Sequence, residues 1–198
     1  MLRYFTFVSS TRERLLDVAE GVFCRLGYAR TTIGELASAA RVTRPTVYAY
    51  FPSKDDVFRA LADRVRTEFL ALQEGVDTSS PAATARAALT AFLDAYTRHY
   101  GVLTVIAHQA LADPSMRTLR DEIVARVERR NTRFLERLVV AGVASPVIAP
   151  AALSRAVTGL VARSAERLAD HPAEAGALAD DLVAVYLRLA GIDAKPGF

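Results

Sequence analysis

Residues 43–51 read TRPTVYAYF, a run of small hydroxyls, one arginine and two tyrosines around a single aliphatic residue, Val47. The chemistry in this set is hydrogen bonding rather than bond making. An arginine fork reaches two acceptors on one guanine edge, and hydroxyls suit phosphate oxygens. With Val47 turned toward neighbouring helices, the run forms a reading surface and not a core surface. A second set, Tyr96, His99, Tyr100, His108 and Gln109, together with Phe69, Phe92 and Phe134, combines aromatic area with a few polar anchors. That is the make-up of a mostly apolar small-molecule pocket.

Catalytic chemistry has no foothold. There is no Gly-rich phosphate loop, no nucleophile with a base and an orienter, and no carboxylate–histidine set at ligand spacing. The 3 histidines form no i,i+4 pair, so neither a metal nor a cofactor is expected. The single cysteine, Cys24, makes no internal disulfide and reads as a small hydrophobe, which points to a reducing compartment. No apolar run approaches the roughly 18 residues of a membrane helix. A cytoplasmic protein without a membrane partner is the expectation.

These residues need helices to hold them. Apolar residues recur at three and four between well-spaced breakers, and almost nowhere at two, which predicts an all-α fold of about nine helices. Ser10 with Glu13 and Thr32 with Glu35 are capping boxes, and Gly27 is expected to close the first helix. Thr43 caps a third helix with Pro45 in its first turn, and Pro52 stops it near Tyr50. Ser53 then starts a long fourth helix that runs to about Val76. Longer stripes follow, at Leu89, Phe92, Tyr96 and Tyr100, then, on a helix expected to join it at Gly101, at Leu103 and Ile106, and on a helix after Pro114 that includes Phe134. Two more helices follow Pro150 and Pro172.

Charge divides the chain. Residues 1–66 carry 11 Lys or Arg against 7 Asp or Glu, whereas residues 67–198 carry 14 against 15. The whole excess lies on the short N-terminal helices, the electrostatic footprint of a nucleic-acid reader with a neutral bundle behind it. A short helix, a tight Arg41-Val42 turn and a second short helix have the lengths of a helix-turn-helix.

The stretch FCRLGYARTTIGELASAARVTRPTVYAYFPSKDDVF closely resembles the DNA-binding domain of the tetracycline-repressor (TetR) family of transcriptional regulators. The resemblance covers about a quarter of the chain, from about Thr11 to Phe58. It rests on Gly-Tyr after the first helix, Thr-Thr-Ile opening the second, and Tyr-x-Tyr-Phe-x-x-Lys after the turn. It implies a helix-turn-helix head, with Thr43, Arg44, Pro45 and Thr46 at the start of the recognition helix. Tyr48, Tyr50 and Lys54 fall at phosphate contacts, and Thr32 lies near the same backbone. It also implies a homodimer on a double-stranded, palindromic DNA operator and a C-terminal bundle that binds a small effector. A repressor released by that effector is the leading expectation. An activator or ligand-independent regulator with the same head, and an all-α carrier or enzyme, are the alternatives.

The bundle offers fewer signals. Asn131 falls where the stripe of the helix after Pro114 calls for an apolar residue, and two readings stay open, a cavity lining or a rotated surface face. The arginines between Arg126 and Arg137 interleave with Glu122, Glu128 and Glu136, which reads as a solvated face. The helix after Pro150 is rich in small residues, and with the last helix it suits a symmetric interface. Leu153, Val157, Leu160, Leu168, Leu178, Leu182, Val185, Tyr186 and Leu189 supply its apolar area. The expected organisation is an arm at 1–9, the head at 10–55, the ligand and dimerisation bundle at 56–191, and a tail at 192–198.

Overall fold

The computed structural model describes residues 10–72 and 80–193. Helices account for nearly all of their regular structure, and among them there is no strand. In chain order they are α1 (Thr11–Arg30), α2 (Ile33–Ala40), α3 (Arg44–Tyr50), α4 (Lys54–Ala71), α5 (Pro81–Arg98), α6 (Tyr100–Gln109), α7 (Pro114–Val140), α8 (Pro150–Asp170) and α9 (Ala175–Ala190). A 3-10 turn, Pro172–Glu174, precedes α9. The chain divides into two compact units between Arg64 and Val65, inside α4 and beyond the 55/56 boundary expected above.

In the first unit the helix starts are encoded by side chains. The Ser10 N–H donates to Glu13 Oε2 at 2.8 Å and the Glu13 N–H to Ser10 Oγ at 3.2 Å. Thr32 and Glu35 repeat the exchange at 2.9 and 3.2 Å. Thr43 Oγ1 accepts from the Thr46 N–H, and Ser53 Oγ accepts from the Asp56 N–H. Such caps satisfy donors that a helix start otherwise leaves unpaired, each stabilising by about 1 kcal/mol. Gly27, with φ 72° and ψ 167°, is non-helical and closes the first stretch of α1 as expected, and a short further turn runs to Arg30 beyond the kink.

The core of this unit is small and aromatic. Phe23 and Phe58 are buried with ring centroids 5.0 Å apart, and Tyr28 meets Phe58 edge-on at 5.1 Å. Leu16, Leu36, Val47, Phe51 and Leu61 fill the space around them. Arg64 joins Asp17 and Glu20 of α1 at 2.5 and 2.8 Å. Cys24 lies at the surface and not in the core, and partial burial with the Glu20 carboxylate beside it pushes its thiol upward.

Between α2 and α3 the chain reverses at Arg41, whose φ of 54° and ψ of 44° are left-handed. The Val42 N–H donates to the Ala37 carbonyl at 3.0 Å and the Arg41 N–H to that of Ser38 at 3.1 Å, a Schellman closure. Among the described residues, Arg41 is the one non-glycine with positive φ.

The second unit begins within α4, which ends at Ala71, short of the expected Val76; residues 73–79 lie outside the described set. Helices α5 and α6 join at His99, not at Gly101, which sits inside α6. His99 is buried, and its Nε2 lies 2.8 Å from Glu68 Oε2. Burial lifts the Glu68 carboxyl, but the hydrogen bond and charge of His99, together with Arg98, outweigh it and hold it below the usual range. At the other end of the unit, Gly191 is left-handed (φ 60°), and a Cβ there would meet the Ser145 carbonyl oxygen at 2.4 Å. The absent side chain lets the Ser145 N–H donate to Ala190 O at 3.1 Å and the Val147 N–H to Leu189 O at 2.9 Å. The end of α9 is thereby tied to the loop between α7 and α8.

Candidate nucleic-acid interface and bundle cavity

Within helix α3 one residue is buried. Val47 is 1% exposed, while Thr43, Arg44, Pro45, Tyr48, Ala49 and Tyr50 all face solvent and Thr46 is half-buried. Tyr48 and Tyr50 are 53% and 44% exposed, so neither ring belongs to the core. The side-chain hydroxyls of Thr43 and Thr46 lie 2.9 Å apart, which orders the first turn. A Cβ on Gly34 would approach Arg44 Nη2 to 2.9 Å, so the guanidinium rests across the start of α2 on a position that has no side chain.

Thr32 is exposed at the start of α2 but is already engaged in its capping box. Lys54 is committed to the fold as well: its Nζ donates to the Tyr28 carbonyl at 3.1 Å and lies 4.5 Å from the centroid of the Tyr28 ring. The Tyr28 hydroxyl donates in turn to Asp55. This seat offsets the mild penalty of a cation at a helix start. It also leaves two of the three ammonium donors for another acceptor.

Compared with known proteins, residues 15–61 match the family model described as bacterial regulatory proteins, tetR family. That span contains α2, α3 and the turn between them. That stretch of the chain is similar to the DNA-binding domain of the TetR family. The HTH-type transcriptional regulator AcrR of Shigella flexneri is 46% identical to this chain over 48 residues, 24% of this chain and 22% of that protein. The HTH-type transcriptional repressor ComR of Escherichia coli K12 is 38% identical over 63 residues, 32% of this chain and 30% of that protein. The matches thus span less than a third of the length of these curated relatives. A TetR-like transcriptional regulator from Rhodococcus sp. RHA1 superposes with a TM-score of 0.71 at 27% identity, covering 90% of this chain and 94% of that one.

The second unit holds a cavity of about 240 Å³. Its walls come from α5 (Ala85, Leu89, Phe92), α7 (Val127, Asn131, Phe134) and α8 (Ser154, Val157, Thr158), with Tyr186 of α9 behind them. Asn131 therefore lines a cavity. Its Nδ2 donates to Ser154 Oγ at 3.0 Å, and it accepts from the Tyr186 hydroxyl at 2.6 Å. Ser154 passes its own proton to the Pro150 carbonyl at 2.9 Å. Tyr186 is 1% exposed, and burial pushes its phenol well above the ordinary tyrosine range.

Of the nine residues expected to line a pocket, Phe92, Asn131 and Phe134 do so. Phe69, Tyr96 and His99 do not: they form an aromatic cluster with Phe92, with Phe69 5.9 Å from Phe92 and 6.0 Å from Tyr96. Tyr100, His108 and Gln109 are not among the lining residues either, because α6 takes no part in the cavity, and His108 faces solvent. The expected interface set also needs correction. Leu153, Val157, Leu168, Leu182 and Tyr186 are buried within the chain's own core, because α8 and α9 turn these faces inward. Leu160 and Val185 are exposed at 42% and 43%, and Leu178 and Leu189 are half-buried. Three members of the expected solvated face of α7, Glu128, Arg130 and Arg137, border the cavity.

Sequence reasoning missed Ser154 and misassigned Tyr186. A signal existed. A tyrosine on the inward stripe Leu182–Tyr186 requires a hydroxyl partner, and Asn131 on its own stripe requires one too. Each was the answer to the other.

Among the described residues no group of His, Cys, Asp and Glu is arranged to hold a metal ion, and no helix is long and apolar enough to cross a membrane.

Proposed function

We propose that this protein is a cytoplasmic transcriptional repressor that binds a palindromic DNA operator as a homodimer and is released by a small effector held in the bundle cavity. The observation that carries the reading is α3, in which Val47 is the one buried residue and Arg44, Tyr48 and Tyr50 are exposed. A helix with one buried side chain has its remaining surface available for a major groove. Arg44 reads a guanine through two donors, with Thr43, Pro45 and Thr46 beside it, while Thr32, Tyr48, Tyr50 and Lys54 position the head on phosphates. The head spans residues 10–55 and the effector and dimerisation bundle residues 56–191. The uncovered residues of α8 and α9, Leu160, Leu178, Val185 and Leu189, supply the apolar contact between protomers. An effector that binds better when the heads are misplaced for DNA lowers occupancy by shifting the population.

The test begins with selection of duplexes from a random library, followed by titration at fixed salt. An enriched inverted repeat, bound by two chains, is the expected result. A library that yields no enriched sequence, or a site bound by a single chain, would refute the reading.

A further inference from the structure

We propose that the cavity takes an uncharged molecule of one or two rings bearing a hydroxyl or carbonyl oxygen that bonds to Asn131; this rests on the effector reading above. Size sets the first limit. A cavity of about 240 Å³ exceeds the roughly 150 Å³ that admits benzene and falls short of the roughly 300 Å³ where drug-sized pockets begin. Wall chemistry sets the second. Leu89, Phe92, Val127, Phe134 and Val157 give apolar contact around a ring system.

The polar end sets the third limit. Asn131 has two N–H donors and two acceptor positions. One donor goes to Ser154 and one acceptor to Tyr186. Among the described residues the other donor and acceptor are unspent. Thr158 donates its hydroxyl proton to the Ser154 carbonyl at 3.1 Å, so that donor is already spent. A ligand hydroxyl satisfies both open positions of Asn131, and a carbonyl satisfies one. No charged side chain is part of this network, so a buried ionic group would lack a counter-ion. Arg130 and Arg137 are exposed and Glu128 is half-buried, both signs at the water-screened margin.

The experiment measures binding of 2-naphthol, naphthalene and 2-naphthoate to the full chain by calorimetry, each followed by titration on the selected duplex. The expected result is that 2-naphthol binds roughly tenfold more tightly than either of the others, the size of one neutral hydrogen bond. The double variant Asn131→Leu with Tyr186→Phe removes both partners together, which preserves the fold better than leaving one orphaned. In it the advantage of 2-naphthol over naphthalene should vanish. Tighter binding of 2-naphthoate, no binding by any probe, or an undiminished advantage in the double variant overturns the proposal. Binding of 2-naphthol without loss of DNA affinity supports the ligand class and removes the effector role; release of DNA by 2-naphthoate alone does the reverse.

From a separate observation we infer that Arg41 contacts the DNA backbone. It occupies the left-handed turn (φ 54°) where glycine is easier to accommodate, two residues before the cap of α3. It is exposed, and its guanidinium makes no hydrogen bond or ion pair among the described residues. Retained strain at an unpartnered cation beside a reading helix fits a phosphate clamp. This rests on the DNA-binding reading. Arg41→Gly should raise the unfolding midpoint yet weaken binding several-fold to selected and unrelated duplexes alike, and lower the salt slope by about one. Arg41→Lys should keep the slope. An unchanged slope in Arg41→Gly, alongside altered base preference in Arg44→Ala, overturns the role of Arg41 alone. Absence of DNA binding by the unaltered protein overturns the head reading itself.

Discussion

On the reading proposed above, the head and the bundle would carry function in opposite ways. In the first unit, function lies in what protrudes: short helices started by hydroxyl caps turn a few polar side chains outward from a small aromatic core. In the second, it lies in what is left unfilled between long helices, where Asn131, Ser154 and Tyr186 meet from three of them. A protruding set is local in sequence, spanning a few residues. A cavity is assembled across more than fifty residues of chain and has no local spelling.

Four substitutions break or sharpen this contrast, and the largest effect belongs to the bundle. Gly191→Ala places a Cβ against the Ser145 backbone in a left-handed position. It should cost about 3 kcal/mol, strain and collision combined, in denaturant unfolding. The head should break by chemistry and keep its fold. Arg44→Ala is expected to lose about 2 kcal/mol of operator affinity and relax one base position, with the melting temperature unchanged, as read by titration of single-base operator variants. An intermediate case is Thr43→Ala, which removes the cap of α3 and should lower stability by about 1 kcal/mol while also weakening DNA binding. Equal DNA affinity in Thr43→Ala would mean that α3 is ordered by its packing alone.

The smallest effect concerns Glu68. Its carboxyl is held low in the folded chain, so its contribution is present above the ordinary carboxylate range and is lost as pH falls through the lowered value. Glu68→Gln should therefore flatten the fall in stability between about pH 6 and about pH 3. An acid limb identical to that of the unaltered protein would show that His99 and Arg98 do not couple to it.

The legibility of the two units follows the same contrast. Capping boxes at Ser10 and Thr32, the cap at Thr43 and the stop before Pro52 were readable because each is decided within four residues. The all-α class was readable from periodicity. The α5–α6 junction was displaced by two residues, since Gly101 is a weaker stop inside a helix than the pairing of His99 with Glu68 is beside it. The pocket was half legible. Stripe positions named Phe92, Asn131 and Phe134, but periodicity alone does not say which inward face meets a neighbour and which meets space. For the same reason Val157 and Tyr186, inward on their helices, were read as facing a second chain when they face the cavity.

The seating of α3 on Val47 has an evolutionary corollary. That helix is held by the buried Val47, the Thr43 cap and the buried Phe51 at its end, so the outward positions carry little structural obligation. On the DNA-binding reading, duplicated copies of such a gene can drift at positions 44, 45, 48 and 49 and acquire new target sites without passing through an unfolded ancestor.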